Sequence, residues 1–184
     1  RKEKLSIRYN YISNIVNKLK ELDLFPNIVS GGGTGTFDID VKSGIFNEIQ
    51  AGSYIFNDVE YSNIEIIPNK KEIFKPALFV GSRVISANKD NGVVINAGTK
   101  AFATDTECLP KIKENNQEVV RYKFMGDEHG LLVCDNYDFL PKLGDYIELQ
   151  VPHCDPNINL FDKCYVVNND ILIDIWNIEA RGYG

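Results

Sequence analysis

Residues 143–162 read L-G-D-Y-I-E-L-Q-V-P-H-C-D-P-N-I-N-L-F-D, and their first half predicts a strand with one buried face. After the Gly-Asp turn, the apolar residues Ile147, Leu149 and Val151 alternate with polar ones, which is the period-2 pattern of such a strand. Pro152 ends the strand, because proline has no N–H to donate to a neighbouring strand. Reactive side chains therefore follow directly after the end of a predicted strand.

Those side chains are His153, Cys154 and Asp155. If the backbone stays extended past the proline, the histidine and the aspartate point to one side and the cysteine to the other. An imidazole and a carboxylate that converge can share a divalent ion such as zinc or manganese. The alternative is a hydrogen-bonded His–carboxylate pair without metal. Two protein ligands do not make a closed structural zinc site, so an ion here would keep positions open for substrate.

Composition excludes several classes of protein. The chain has 184 residues, 43% of them hydrophobic, a size compatible with one or two domains. The net charge of −6 and the lack of a basic run argue against a nucleic-acid partner. No apolar stretch approaches about 18 residues and no signal peptide is visible, which predicts no membrane association. The four cysteines show no C-x-x-C pairing, as expected of reduced thiols in a cytoplasmic protein.

The first part of the chain predicts units of an α/β fold. Apolar residues at helical spacing predict an amphipathic helix over about residues 5–23. The short strand Asn27–Ser30 follows and leads into the glycine-rich segment Gly31–Thr36. A second strand, Asn47–Ala51, leads into Gly52, Ser53 and Tyr54. Each loop therefore lies at the carboxyl end of a predicted strand, where (β/α)₈ barrels bind their ligands.

Both loops are candidate phosphate sites. Glycines allow successive backbone N–H groups to point into one concavity, and the threonine hydroxyls add further donors. The segment Gly31–Thr36 is neither a Walker loop nor a dinucleotide fingerprint, because the residues that follow do not match either motif. A flexible turn is the alternative for each loop alone. Two such loops after adjacent strands are typical of the barrel phosphate site.

Beyond about residue 62 the sequence predicts a second domain rich in short strands, so we expect domains at 1–62 and 63–184. Seven β-rich runs separated by turns, with no convincing helix between them, indicate an antiparallel barrel or sandwich. The predicted strands are Leu78–Ala87, Gly92–Ala97, Glu118–Met125, Gly130–Asp135, Asp145–Val151, Lys163–Val167 and Ile171–Trp176.

Two further residues in this part are candidates for chemistry. Lys100 follows a strand and has the amine that nucleophilic catalysis would need, although an exposed or ion-paired lysine is the alternative. His129 lies in a tight connection beside Glu128. It could orient a substrate or reach the metal from its own loop, or it could simply be solvated.

Five motifs, in this order and spacing, resemble the D-threonine aldolase and D-serine dehydratase family. They are G-G-G-T-G-T at 31–36, E-I-Q-A-G-S-Y-I-F-N-D at 48–58, N-A-G-T-K-A at 96–101, E-H-G at 128–130 and P-H-C-D-P-N-I-N-L-F-D at 152–162. These enzymes use pyridoxal phosphate and a metal. They have the alanine-racemase-like fold, in which an amino-terminal (β/α)₈ barrel precedes a β-domain. The resemblance spans the whole chain and about the carboxyl-terminal half of the family's length.

The resemblance implies roles for matching positions. His153 and Asp155 would be metal ligands and catalytic residues, with His129 as a third catalytic candidate. Position 155 is aspartate in the aldolase branch and cysteine in the dehydratase branch, so Asp155 favours the aldolase. The residues that would hold the cofactor phosphate or lie beside the cofactor are Gly31, Gly32, Gly33, Thr34, Gly52, Ser53 and Tyr54.

The implied activity is cleavage of a β-hydroxy-D-amino acid to glycine and an aldehyde, with a divalent ion, manganese or zinc, on the β-hydroxyl. A dehydratase that yields a keto acid and ammonia is one alternative, and a part that serves only structure or dimerisation is another. Strand Asn27–Ser30 would expose the edge that normally pairs with the preceding barrel strand, and such an edge recruits another chain, so we expect a homodimer or aggregation. The family's Schiff-base lysine lies in the barrel upstream of Arg1, so we expect this chain alone to be inactive without the amino-terminal barrel half.

Overall fold

The computed structural model describes residues 2–70, 72–89, 92–113 and 119–182. The chain divides into two units, which are treated separately below. The first comprises Arg1–Tyr54 and Ile64–Ile73, and the second comprises Ile55–Asn63 and Phe74–Gly184. The predicted boundary at residue 62 stays a prediction. Within the described ranges, no helix is long and apolar enough to cross a membrane.

The first unit contains a parallel β-α-β unit after a long helix. Its elements are α1 (Lys2–Glu21), β1 (Ser30–Gly31), α2 (Phe37–Ser43) and β2 (Glu48–Ile49). Ser30 pairs with Glu48 and Gly31 with Ile49 in parallel register, so α2 is the crossover between adjacent strands. The predicted helix and the α/β character of this part are therefore confirmed.

Both strands of this unit are shorter than predicted, and the side chain of Asn47 gives the reason for the late start of β1. Its Oδ1 accepts the N–H of Val29 at 2.8 Å, and its Nδ2 donates to the carbonyl of Asn27 at 2.7 Å. A side-chain amide thus bonds the carbonyl of Asn27 and the N–H of Val29, where a strand would bond the neighbouring backbone. Helix α2 was not predicted, although its end at Gly44, with φ of +68°, is a common glycine cap.

The second unit is built on a six-stranded antiparallel sheet that forms a nearly closed barrel. The strand order is β5-β8-β3-β4-β7-β6. Its strands are β3 (Phe79–Lys89), β4 (Gly92–Ile95), β5 (Lys111–Ile112), β6 (Arg121–Phe124), β7 (Gly130–Val133) and β8 (Tyr146–Gln150). The predicted antiparallel β-domain is confirmed. Strand β5 was not predicted, and Glu118, the first residue of one predicted strand, lies outside the described residues.

A separate hairpin follows the barrel. Strands β9 (Lys163–Asn168) and β10 (Ile171–Asn177) pair antiparallel. Asn169 and Asp170 connect them with φ of +48° and +62°, the left-handed pair that a tight hairpin turn requires. The whole of β10 is exposed, including Ile173 and Trp176.

The barrel core confirms the alternation predicted for β8, with one departure. Ile147, Leu149 and Val151 are almost fully buried. Gln150 is also buried, and its Nε2 donates to the carbonyl of Asn57 at 2.8 Å and to Ser62 Oγ at 3.0 Å. A buried amide requires such partners. Gln150 therefore ties the segment 55–63 to the end of β8.

That segment carries the four-residue helix α3 (Val59–Ser62), which docks on the backbone just past β8. The N–H groups of Val59 and Glu60 donate to the carbonyls of Val151 and Pro152, each at 3.1 Å. Immediately afterwards comes α4 (Cys154–Ile158). The starts of two short helices thus meet at the predicted metal motif.

Candidate functional site

The backbone becomes helical at Cys154, so the extended backbone from which the alternation of His153, Cys154 and Asp155 was predicted is wrong. His153 is extended, with φ of −141° and ψ of 123°, and it is the last residue before α4. Pro156 is tolerated in the first helical turn, where no backbone N–H donor is needed. The histidine and the aspartate still converge, because helix α4 begins between them.

His153 lies among carboxylates on both of its ring nitrogens. Its Nδ1 is 2.6 Å from Asp105 Oδ2 and 4.0 Å from Glu60 Oε2. Its Nε2 is 3.4 Å from Asp155 Oδ2. The ring is 23% exposed, whereas the Asp155 side chain is 68% exposed. One nitrogen therefore faces a hydrogen-bonding carboxylate, and the other faces the more accessible Asp155.

The carboxylates change the protonation of this histidine. Burial by itself would lower the pKa of His153. The hydrogen bond and the charge of Asp105, with the charges of Asp155 and Asp58, outweigh burial and raise the pKa above its ordinary value. The same negative surroundings favour a divalent cation at the ring, since metal binding replaces a proton.

Two donors are available to such an ion. Among the residues that the structure describes, no group of three or more His, Cys, Asp or Glu side chains could hold a metal ion. His153 Nε2 and Asp155 Oδ2 are nevertheless separated by 3.4 Å. Two donors in a tetrahedral site, each about 2.1 Å from a shared zinc ion, lie about 3.4 Å apart. The pair therefore fits an open site with two protein ligands.

Cys154 lies on the other side of this motif. Its side chain is 1% exposed and belongs to the barrel core. Its N–H donates to Asp58 Oδ2 at 2.6 Å, and its Sγ is 3.5 Å from Asp155 Oδ1. Cys154 is therefore buried in the core, but its Sγ also donates to Asp155, so the prediction that Cys154 points away from the His–Asp pair is not confirmed.

Two residues near the pair were missed. Asp58 is fully buried and caps α3, and Asp105 holds the ring of His153. Asp58 could have been found from the sequence, because aspartate is a preferred residue immediately before a helix. No local sequence pattern indicates the role of Asp105, since 48 residues separate it from His153.

The two predicted phosphate loops meet within the first unit. The N–H of Tyr54 donates to Thr34 Oγ1 at 3.1 Å, and Thr34 and Ser53 are buried. A Cβ added at Gly33 or at Gly52 would meet no atom within 4 Å, so both glycines border open space. Small residues beside open space at the ends of paired parallel strands fit a bound phosphate.

Gly32 has a different reason to be glycine. Its φ is +76°, and a Cβ there would lie 2.4 Å from Asp40 Oδ2. Asp40 is buried and accepts hydrogen bonds from Thr36 Oγ1, at 2.5 Å, and from the hydroxyl of Tyr9. Burial and then the bond to Asp40 raise the pKa of Tyr9 to about 12. These hydrogen bonds hold buried Asp40 against Gly32 of the glycine loop.

Lys100 and His129 lie in neighbouring loops of the barrel. Lys100 Nζ forms an exposed ion pair with Glu128, whose hydrogen bond raises the pKa of Lys100. A raised pKa is opposite to what a nucleophilic amine requires, so the ion-paired alternative is the one observed. His129 is exposed, and its carbonyl accepts the N–H of Met125. Its catalytic role stays a prediction.

Comparison with known proteins establishes the family. Residues 77–167 match the family model described as a putative serine dehydratase domain. The whole chain is 36% identical to the 3-hydroxy-D-aspartate aldolase of Paracoccus denitrificans (strain Pd 1222), of which it covers 47%. The chain belongs to the D-threonine aldolase and D-serine dehydratase family. The resemblance inferred from the five motifs is thereby confirmed.

Solved structures confirm the fold of this family member. The D-threonine aldolase from Filomicrobium marinum superposes with a TM-score of 0.90 at 33% identity, covering 99% of this chain and 48% of that one. An alanine-racemase-like protein from Idiomarina loihiensis, at 16% identity, has a TM-score of 0.68 over 88% of this chain and 46% of its own. The latter shows the fold alone. The chain spans about half the length of the aldolase relatives it matches, and corresponds to their carboxyl-terminal part.

Proposed function

We propose that the protein bearing this chain is a lyase that uses pyridoxal phosphate and a divalent metal to cleave β-hydroxy-D-amino acids into glycine and an aldehyde. The observation that carries this proposal is the pair His153 Nε2 and Asp155 Oδ2, 3.4 Å apart at the surface of the barrel. Two similar proteins named as aldolases support the reaction class.

In this proposal His153 and Asp155 hold the ion, and the remaining coordination positions are open to the β-hydroxyl of the substrate. When bound, the ion supplies positive charge that lowers the pKa of a hydroxyl or water on it. Cleavage breaks the Cα–Cβ bond, the hydroxyl loses its proton to become the aldehyde, and Cα gains a proton to become glycine. Manganese and zinc are both compatible with one imidazole and one carboxylate.

The glycine loops would hold the phosphate of the cofactor. We assign Gly31–Thr34 and Gly52–Ser53 to the phosphate, and Tyr54 to a position beside the cofactor. When bound, the cofactor supplies an electron sink for the bond cleavage. The contributions of this chain are the open space at Gly33 and Gly52 and the bond between Thr34 and Tyr54 that joins the two loops.

A dehydratase is the second candidate, because the matching family model is named for serine dehydratase. It would release a keto acid and ammonia from the same class of D-amino acid. The dehydratase branch has cysteine at position 155, whereas this chain has Asp155 and buries Cys154 in its core. Homodimerisation and a cytoplasmic location remain predictions.

The test compares products and metal dependence in the full-length product of the gene. The purified protein is stripped with a chelator, reloaded with manganese or zinc, and incubated with D-threonine, D-3-hydroxyaspartate and D-serine. We expect glycine and an aldehyde from the first two substrates only after reloading. His153→Ala and Asp155→Ala should abolish turnover, whereas Cys154→Ser should retain it. Keto acid with ammonia as the main products, or metal loss in Cys154→Ser alone, would refute the aldolase proposal.

A further inference from the structure

The loop that carries Asp105 is hydrogen-bonded to α4, the helix that follows His153 directly. Asn157 of α4 is 1% exposed, and its Oδ1 accepts the N–H of Ala103 at 2.9 Å. Its Nδ2 donates to the carbonyl of Ala101 at 3.3 Å. A buried amide that satisfies backbone groups of a loop holds that loop in one place. Asp105 and His153 are thus fixed relative to each other by Asn157.

We propose that Asp105 is a positioning residue, which holds His153 with the proton on Nδ1 and the lone pair of Nε2 directed toward Asp155. The distance of 2.6 Å between Nδ1 and Asp105 Oδ2 is that of a strong, charge-assisted hydrogen bond. An ionised carboxylate only accepts, so the ring nitrogen must donate. Nε2 is then the nitrogen that is free to bind a metal ion.

The other carboxylates near the ring cannot do this. Glu60 Oε2 is 4.0 Å from Nδ1, beyond hydrogen-bonding distance, so Glu60 contributes charge without fixing the tautomer. The two oxygens of Asp58 accept the N–H groups of Tyr61 and Cys154. Asp155 lies on the Nε2 side. Within the described ranges, Asp105 is the carboxylate placed to select the tautomer.

This inference rests on the proposed function, because it assigns Nε2 of His153 to the metal. A carboxylate on the far nitrogen of a metal-binding histidine orients the ring and makes it a stronger ligand. Loss of such a partner typically reduces metal affinity about 10- to 100-fold. Asp105 would therefore act on the ion through His153, without touching it.

The experiment uses the 184-residue chain, which has only two histidines. Nitrogen-15 NMR at a pH where the rings are neutral reports the tautomer of His153, with exposed His129 as the internal reference. We expect the Nδ1–H tautomer in the parent chain and in Glu60→Gln. Asp105→Ala should lose it, and Asp105→Asn, whose amide oxygen can still accept, should retain it in part.

Binding of Mn²⁺, followed by electron paramagnetic resonance of the free ion, supplies the second measurement. We expect affinity to fall about 10- to 100-fold in Asp105→Ala and less in Asp105→Asn, with Glu60→Gln losing least. An unchanged His153 tautomer in folded Asp105→Ala would overturn the positioning role. A parent chain that binds neither Mn²⁺ nor Zn²⁺ would instead overturn the proposed metal site, while the NMR result would still decide the role of Asp105.

Discussion

Asp58 accepts the backbone N–H of Cys154 at 2.6 Å, although 96 residues separate the two. The other oxygen of the same carboxylate accepts the N–H of Tyr61 at 2.9 Å and so caps α3. One fully buried side chain therefore satisfies the first turns of α3 and α4. The metal motif is anchored to the rest of its unit at this point.

Replacing Asp58 with alanine should destabilise the chain by about 2–4 kcal/mol. The substitution removes the cap of α3 and also leaves the buried N–H of Cys154 without its acceptor. Urea unfolding of the second unit measures this change. Asn136→Ala is the control, because Asn136 caps a short 3₁₀ helix, Tyr137–Phe139, at an exposed position. It should cost about 1 kcal/mol or less. Equal losses in the two variants would contradict the anchoring role.

Exchange of Asp155 for cysteine should shift metal preference from manganese toward zinc. Thiolate is a softer ligand than carboxylate, and soft ligands select zinc over manganese. We expect the ratio of zinc to manganese affinity to rise at least about tenfold, or about 1.4 kcal/mol. Competition binding on the chain measures the ratio. Asp162→Cys adds a thiol at a side chain that is 84% exposed and should leave the ratio unchanged.

Adjacent glycines of the first loop should respond differently to alanine. The new methyl group of Gly33→Ala would meet no atom within 4 Å, so the variant should change the free energy of unfolding by no more than about 0.5 kcal/mol. Gly32→Ala, at φ +76° and against Asp40, should cost about 1–3 kcal/mol. Denaturant unfolding measures both.

The same pair tests the phosphate assignment in the full-length product. The methyl group of Gly33→Ala would occupy the space assigned to phosphate, so affinity for pyridoxal phosphate should fall by about tenfold or more, which is about 1.4 kcal/mol. Absorbance titration measures it. Full cofactor affinity in stable Gly33→Ala would show that the phosphate binds elsewhere.

Tyr9 should make the first unit sensitive to high pH. Its pKa is raised to about 12 in the folded chain, above the ordinary value of about 10. The folded state therefore favours the protonated hydroxyl, and this contribution to stability is present below pH about 10 and lost as pH rises toward 12. The difference between the ultraviolet titrations of the parent and Tyr9→Phe isolates this group. In urea, where the chain is unfolded, the pKa of Tyr9 from the difference curve should return to about 10. The same pKa in the folded and the unfolded chain would contradict the hydrogen bond between Tyr9 and Asp40.

Sequence patterns predicted the long regular elements and missed the short ones. Helix α1 has the apolar period of a helix, and β8 alternates as a strand does. Helices α2, α3 and α4 have seven, four and five residues, too few to display a period. Such helices depend on caps and tertiary contacts for their stability. The extended backbone expected after Pro152 was wrong for this reason.

The amino-acid sequence by itself determined the family and the antiparallel β-domain, because these follow from the order of local motifs and from the alternation of apolar residues along the chain. Only the tertiary structure decided which carboxylate holds the ring of His153 and which one anchors Cys154. Asp105 and Asp58 reach those positions through loops fastened by Asn157 and Gln150. Contacts across 48 and 96 residues depend on how the barrel closes, and no local period encodes them.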